Sequence, residues 1–169
     1  MALPKKLRDF NLFGDGNSWQ GQIAELTLPS LSRVVEDYRG GGMDGAVELD
    51  MGQEKIEFEW TAGGLISEIF DAYGASQIDA TMLRFAGAYF SETDATTTAV
   101  EIIVRGRHRQ IDMGTAKSGE NNEIQVTTSC SYYKLIIDGE DVLEIDLPGF
   151  VFKVRGEDRL ADRRAAIGL

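Results

Sequence analysis

His108 is the sole histidine of the chain and sits in RGRHRQ, flanked by Arg105, Arg107 and Arg109. Nucleophilic catalysis with a histidine base needs an imidazole that exchanges a proton near neutral pH beside a serine or cysteine. The arginines disfavour protonation of this imidazole, and its setting reads as a surface strand residue. Cys130 is the sole cysteine, so no internal disulfide forms, and it reads as a small buried strand residue rather than a reactive thiol. One histidine and one cysteine cannot furnish a usual zinc site. With 28 acidic residues in the chain, a carboxylate pair such as Glu57 and Asp146 carries no information about glycoside hydrolysis. These residues lead to the expectation of no enzyme, no metal and no cofactor.

A phosphate cradle is the remaining chemical possibility, in YRGGGMDG at 38–45. A Walker loop needs GxxxxGK followed by Ser or Thr between a strand and a helix, and RGGGMDGAVEL lacks the lysine, the hydroxyl and the helix. Gly40, Gly41 and Gly42 instead give a long connection over 37–46 its freedom, with Met43 as an adaptable apolar contact at its tip.

The elements that must position these residues follow a period of two. Ile56, Phe58 and Trp60 alternate with Lys55, Glu57 and Glu59, which marks a half-buried strand. Val47, Leu49 and Met51 alternate with Glu48 and Asp50, and Gly52-Gln53 predicts a tight turn joining the two strands as a hairpin. Val100, Ile102 and Val104 are in phase, with Arg105, Arg107 and Arg109 opposite. In SYYKLIIDGEDVLEIDL, Asp138-Gly139 is a hairpin turn between alternating runs. Upstream, Ile124, Val126 and Cys130 share a parity that Tyr133 and Leu135 do not, which predicts a bulge around Ser131. Residues 91–99 read as a surface loop or hairpin tip.

Helical spacing occurs twice. Leu65, Ile66, Ile69, Phe70 and Tyr73 predict a helix over 64–74, and the charge order of EDRLADRRAAIGL predicts a C-terminal helix over 157–167. Residues 1–20 read as an N-terminal arm. The fold class is mainly β: an antiparallel two-sheet β-sandwich or barrel with one flanking α-helix and a short C-terminal helix, in a single domain over 1–169.

The 169 residues, 43% hydrophobic and 27% charged, suit one globular domain. No apolar run approaches the roughly 20 residues of a membrane-crossing helix, and MALPKKLRDF lacks the apolar core of a secretory signal, so the expectation is a chain that stays in the cytoplasm after synthesis. A formal charge of −11 argues against a broad basic surface gripping nucleic acid.

In order along the chain, MALPKKL with NLFGDGNS, EDYRGGGMDG, DMGQEKIEFEWTAGG, LRFAGAY, VRGRHRQIDMGTAKSGE, SCSYYKLIIDGEDVLEIDL and DRLADRRAAIGL together resemble the major tail tube proteins of contractile-tailed bacteriophages. The tube proteins of R-type tailocins, or pyocins, are similar. The resemblance implies a subunit that closes into hexameric rings, stacked into a hollow tube within a sheath. It implies a virion-tail location after assembly in the host cytoplasm, and as partners the sheath, tape measure, baseplate and tail terminator proteins. It further implies that strands of neighbouring subunits form an inner lining, and that the glycine loop and the arm reach adjacent subunits and rings.

A tube that passes DNA must not bind it, since each phosphate contact adds affinity. Glu48, Asp50, Glu57 and Glu59 are therefore the candidate lumen acids. Candidate contacts between subunits and rings are Leu12, Phe13, Arg39, Gly40, Gly41, Gly42 and Met43, with apolar burial supplying most of the adhesion because exposed ion pairs contribute only about 0–1 kcal/mol. Two other readings are a ring protein of contractile secretion machines, similar to tail tubes in fold, and a carbohydrate-binding β-sandwich using Trp19, Trp60, Tyr132 and Tyr133, although Trp60 belongs to an apolar strand face.

Overall fold

Alternating sequence becomes antiparallel sheet almost throughout the computed structural model, which describes residues 1–169. The strands are β1 (Lys6–Gly14), β2 (Asn17–Ser18), β3 (Ile23–Thr27), β4 (Arg33–Tyr38), β5 (Val47–Gln53), β6 (Ile56–Ala62), β7 (Thr81–Ser91), β8 (Thr96–Asp112), β9 (Ile124–Ile137), β10 (Glu140–Asp146), β11 (Val151–Val154) and β12 (Glu157–Asp158). A 3-10 helix spans Ser67–Ala72 and an α-helix, α1, spans Ala161–Ile167.

Ten strands form one branched sheet in the order β12-β11-β10-β9-β8-β7-β1-β2, with β6 pairing both β9 and β3. The branch is at β9. Its first half pairs β6 from Ile124↔Ala62 to Cys130↔Ile56, and its second half pairs β10 from Tyr132↔Asp146 to Ile137↔Glu140. β8 accompanies both halves. The predicted bulge is present: Arg105 faces Tyr132 while Gly106 faces Cys130, so Ser131 is the extra residue. Buried positions change from Ile124, Val126, Thr128 and Cys130 to Tyr133 across it. One core collects Leu12, Phe58, Trp60, Phe85, Val104 and Ile145, drawn from β1, β7, β8 and β10 together with β6.

The β9–β10 hairpin turns at Asp138 and Gly139, with φ of 48° and 79° as a tight hairpin turn requires. Residues 91–99 form the tip and first strand residues of the β7–β8 hairpin.

Several expectations are corrected. β5 does not pair with β6. It pairs with β4, from Tyr38↔Val47 to Arg33↔Gln53, as a separate two-stranded sheet closed by the glycine segment. Alternation identifies a strand but not its partner, and the adjacent Val34 and Val35 hide the period of β4. Gly52 is not a turn residue: with φ 125° it sits at a bulge that leaves Met51 unpaired.

The helix expected over 64–74 is a single 3-10 segment. Only Ile66 and Ile69 are buried, while Leu65 and Tyr73 stand exposed, so no continuous apolar stripe holds a longer helix. Tyr73 instead bridges to His108. The C-terminal helix begins at Ala161 rather than 157, because Glu157 and Asp158 pair with β11. Arg164 on that helix returns to the Asp158 carboxylate and to the Phe150 carbonyl at 2.9 Å.

Most of the expected N-terminal arm belongs to the body. β1 pairs with β7 from Lys6↔Phe90 to Gly14↔Leu83, and Leu12 and Trp19 are buried. Only residues 1–5 precede the sheet.

Candidate assembly surface

The residues with chemical potential do not converge. His108 is not on the surface as expected: it is 4% exposed, packs edge-on to Trp60 at 6.0 Å, and its Nδ1 lies 2.9 Å from Thr128 Oγ1. Burial pushes its pKa down. Cys130 is buried as expected, and burial pushes the thiol up to about 12. No three His, Cys, Asp or Glu side chains gather as a metal site.

What stands out is the β4–β5 hairpin. Residues directly opposite in an antiparallel pair place their side chains on the same face. Glu36↔Leu49 and Tyr38↔Val47, with Val34 in phase, therefore make one face mostly apolar. Val35↔Asp50 and Asp37↔Glu48 make the other face acidic. No part of the same subunit covers the apolar face: Val34 is 41% exposed, Tyr38 53%, Val47 47% and Leu49 46%. Four large exposed apolar side chains on one ladder form a contiguous apolar patch of the kind that marks interaction surfaces.

The base of the hairpin is clamped to the body. Arg33 Nε donates to both oxygens of Asp50 at 3.1 and 2.9 Å, and its guanidinium lies 5.3 Å from the Phe152 ring of β11. Asp50 also accepts from the Gly52 N–H at 2.8 Å. These bonds, that of Arg33 first, hold the Asp50 carboxyl below the usual carboxylate range. At the tip, Arg39 Nε donates to the Met43 carbonyl at 3.2 Å, and the Met43 sulfur lies 3.1 Å from the Gly40 nitrogen. Met43 thus folds partly into its own turn instead of projecting. Gly42 adopts φ 83°, which a side chain disfavours, whereas Gly41 faces open space.

The other expected contact residues fall elsewhere. Leu12 is wholly buried in its own subunit, so its side chain is not available to another, a correction that follows from β1 being a sheet strand. Phe13 is half-buried beneath the Arg84 guanidinium at 4.3 Å. The four acids split between two sheets: Glu48 and Asp50 on the hairpin, Glu57 and Glu59 on β6. Glu57 pairs with Lys55 at 3.1 Å and Arg109 at 3.0 Å. Asp50 and Glu57 are therefore neutralised within the subunit, while Glu48 and Glu59 are exposed without an ion-pair partner.

Sequence reasoning missed Tyr38 and Val34, and it missed a groove of about 290 Å³ between the hairpin base and the C-terminal segment, lined by Met51, Ile145, Leu147, Phe150, Phe152 and Leu160 among others. The alternation of Val47 and Leu49 with Glu48 was a signal for the amphipathic face, but the absence of a covering element was not legible.

A family profile described as phage tail tube protein FII matches residues 4–168. The chain is 42% identical over 172 residues to the tail tube protein of Escherichia phage P2, covering 100% of each. It is 41% identical over 172 residues to the major tail tube protein of Serratia phage KSP20, covering 100% of this chain and 99% of that one. Its fold is similar to a chain in the sixfold-symmetrised cryo-EM structure of the anti-feeding prophage baseplate, with a TM-score of 0.59 at 11% identity over 80% of this chain and 97% of that one. A chain in the sheath/tube terminator of an extracellular contractile injection system, in its extended state, gives a TM-score of 0.59 at 8% identity, covering 80% and 96%.

Proposed function

The chain belongs to the phage tail tube protein FII family, and from that premise we propose that its subunits close into hexameric rings stacked as the hollow inner tube of a contractile tail, through which DNA passes without being held. As a member it is a structural tail tube protein and a virion component, not an enzyme.

The observation that carries the assembly reading is the uncovered apolar face of the β4–β5 hairpin. Burying an apolar side chain of this size stabilises by about 1.5–3 kcal/mol, so four of them supply enough to offset part of the cost of association. Adhesion by the hairpin also leaves its opposite face, with Asp37 and Glu48, directed away from the contact. That face is the best source of a lumen lining. Asp50 and Glu57 contribute less negative potential because each already meets a guanidinium. Glu59 lies on a separate sheet and would line a different part of the wall. Acids on the lumen repel phosphate over a Debye length of about 8 Å, which keeps a duplex off the wall. Arg39, Gly40, Gly41, Gly42 and Met43 at the hairpin tip, with Phe13, remain the proposed contacts between rings.

Sixfold closure is supported by the sixfold baseplate that contains a chain of similar fold. A baseplate and a sheath/tube terminator are accordingly the proposed partners, along with the sheath and a tape measure protein. Full-length identity of 42% to a phage tube protein favours the tube over the discrete ring of a secretion machine.

Electron microscopy of the concentrated purified protein, with image averaging for rotational symmetry, tests this. Hollow tubes with sixfold end views are expected, with Glu48 on the inner wall. Separate unstacked rings would overturn the tube reading in favour of a secretion-type ring, and Glu48 on the outer wall would overturn the lumen assignment.

A further inference from the structure

Resting on that tubular reading, we propose that the apolar face of the β4–β5 hairpin of one copy seats in the groove beside the hairpin base of the next, with Tyr38 entering the cavity and Glu36 meeting Arg159 and Arg163.

The groove has the size and chemistry for this occupant. Its volume is about 290 Å³, and its walls include Leu147, Phe150, Phe152 and Leu160 with Arg163 at the edge. Arg159 joins the rim where the groove continues past Val154. Neither arginine is held by a close ion pair, although Arg163 lies near enough to Asp50 to help hold that carboxyl below its usual range. The acid nearest Arg159 is Glu157 at 3.8 Å, with both side chains well exposed, and Arg163 rests over the Phe150 ring at 5.6 Å. Arg33, the third cation of the groove, is already committed to Asp50.

The hairpin has the complementary character. Beyond its clamped base it carries Glu36, Asp37, Asp44 and Glu48 against Arg39 alone, whereas the C-terminal stretch holds Lys153, Arg155, Arg159, Arg163 and Arg164 against Glu157, Asp158 and Asp162, and so is basic on balance. Glu36 is the acid that shares a face with Val34, Tyr38, Val47 and Leu49. An apolar patch with one acid therefore fits an apolar groove with a cationic rim. Tyrosine is also a residue type suited to anchoring such a contact, with a large apolar body and a polar tip.

The occupant cannot come from the same chain. Arg33, Met51, Gly52 and Gln53 of the hairpin base already form one wall of the groove. Tyr38 lies five residues further along β4, about 16 Å away at the strand rise, and a paired ladder cannot fold back over that distance. Donor face and acceptor groove are thus different surfaces of one subunit. Such a contact is heterologous, and repeated by rotation it closes a ring or continues as a helix.

Two chains tested together give a directional readout. Tyr38→Cys in one protein and Arg159→Cys in another are mixed under assembly conditions and treated with a short bismaleimide. The native Cys130 is buried and stays silent. A cross-linked species joining one of each variant, and absent when either is treated alone, is expected. In parallel, Glu36→Arg and Arg163→Glu should each raise the concentration needed for assembly by about tenfold or more, and the double variant should recover most of the loss. Unchanged melting of the unassembled variants shows that their folds are intact. Tubes that form without the mixed cross-link and ignore both charge reversals overturn the groove assignment and leave the tube reading standing. Wild-type chain that stays monomeric without cross-links overturns both.

Discussion

Trp19 and Trp60 stack with ring centroids 5.1 Å apart and planes at 25°, which pins the segment just after β2 to β6. Room for this stack depends on Gly14, where a Cβ would lie 2.1 Å from the Trp19 ring. The contact ties the N-terminal segment to the core. Trp19→Ala is expected to lower the stability of the unassembled subunit by about 3–5 kcal/mol, read as the shift in its urea unfolding midpoint.

Gly106 is fixed by a close backbone approach. A Cβ there would lie 2.0 Å from the Ser129 carbonyl oxygen, across the ladder at the β9 bulge. Gly106→Ala should cost about 1–3 kcal/mol or more and reduce the soluble yield. Gly41→Ala, at a position facing open space, should change stability by less than about 0.5 kcal/mol in the same denaturation assay.

His108 makes the fold sensitive to mild acid. Burial lowers its pKa from the ordinary 6.5, with Asp15 opposing as the lesser influence. The unfolded chain therefore takes up the proton first as pH falls. The contribution of the neutral imidazole is fully present above about pH 6.5 and is lost as pH falls through the folded value. Melting temperature measured from about pH 7 down to pH 5 should fall for the native chain, and His108→Gln should flatten that slope.

The two faces of the hairpin should separate adhesion from lining. Leu49→Asp is expected to leave the unassembled subunit within about 0.5 kcal/mol of its original stability, because the side chain is exposed there, while abolishing tubes in sedimentation. Glu48→Gln, on the acidic face, should still sediment as tubes.

Strands were legible wherever one face is buried by the subunit itself. Phe58 and Trp60, the Asp138-Gly139 turn and the parity change at Ser131 could all be read because side-chain alternation records which face meets the core. His108 was legible by the same rule, since it shares the inward parity of Ile102 and Val104, but the three neighbouring arginines give its stretch the composition of a surface segment. The partner of β5 was not legible, because alternation carries no information about which strand supplies the hydrogen bonds. Nor was the groove, whose walls bring β4 and β5 against β10, β11 and the segment leading into α1, which lie far along the chain from the hairpin. The hairpin face resembled a core strand for a simple reason: it has the apolar alternation of a buried surface, and no element of the subunit covers it.

β8 runs 17 residues, about 56 Å at the usual rise, and stays hydrogen-bonded to β9 on both sides of the branch. The two halves of the subunit are thus joined by a continuous strand pair, bent at its bulges but not broken. A thrust along these strands loads the ladder in shear, so its bonds must fail together instead of opening one after another like a zipper. Such a subunit behaves as a stiff brick, and in the proposed stack a push along these strands would reach the far end with little of it lost to bending within each unit.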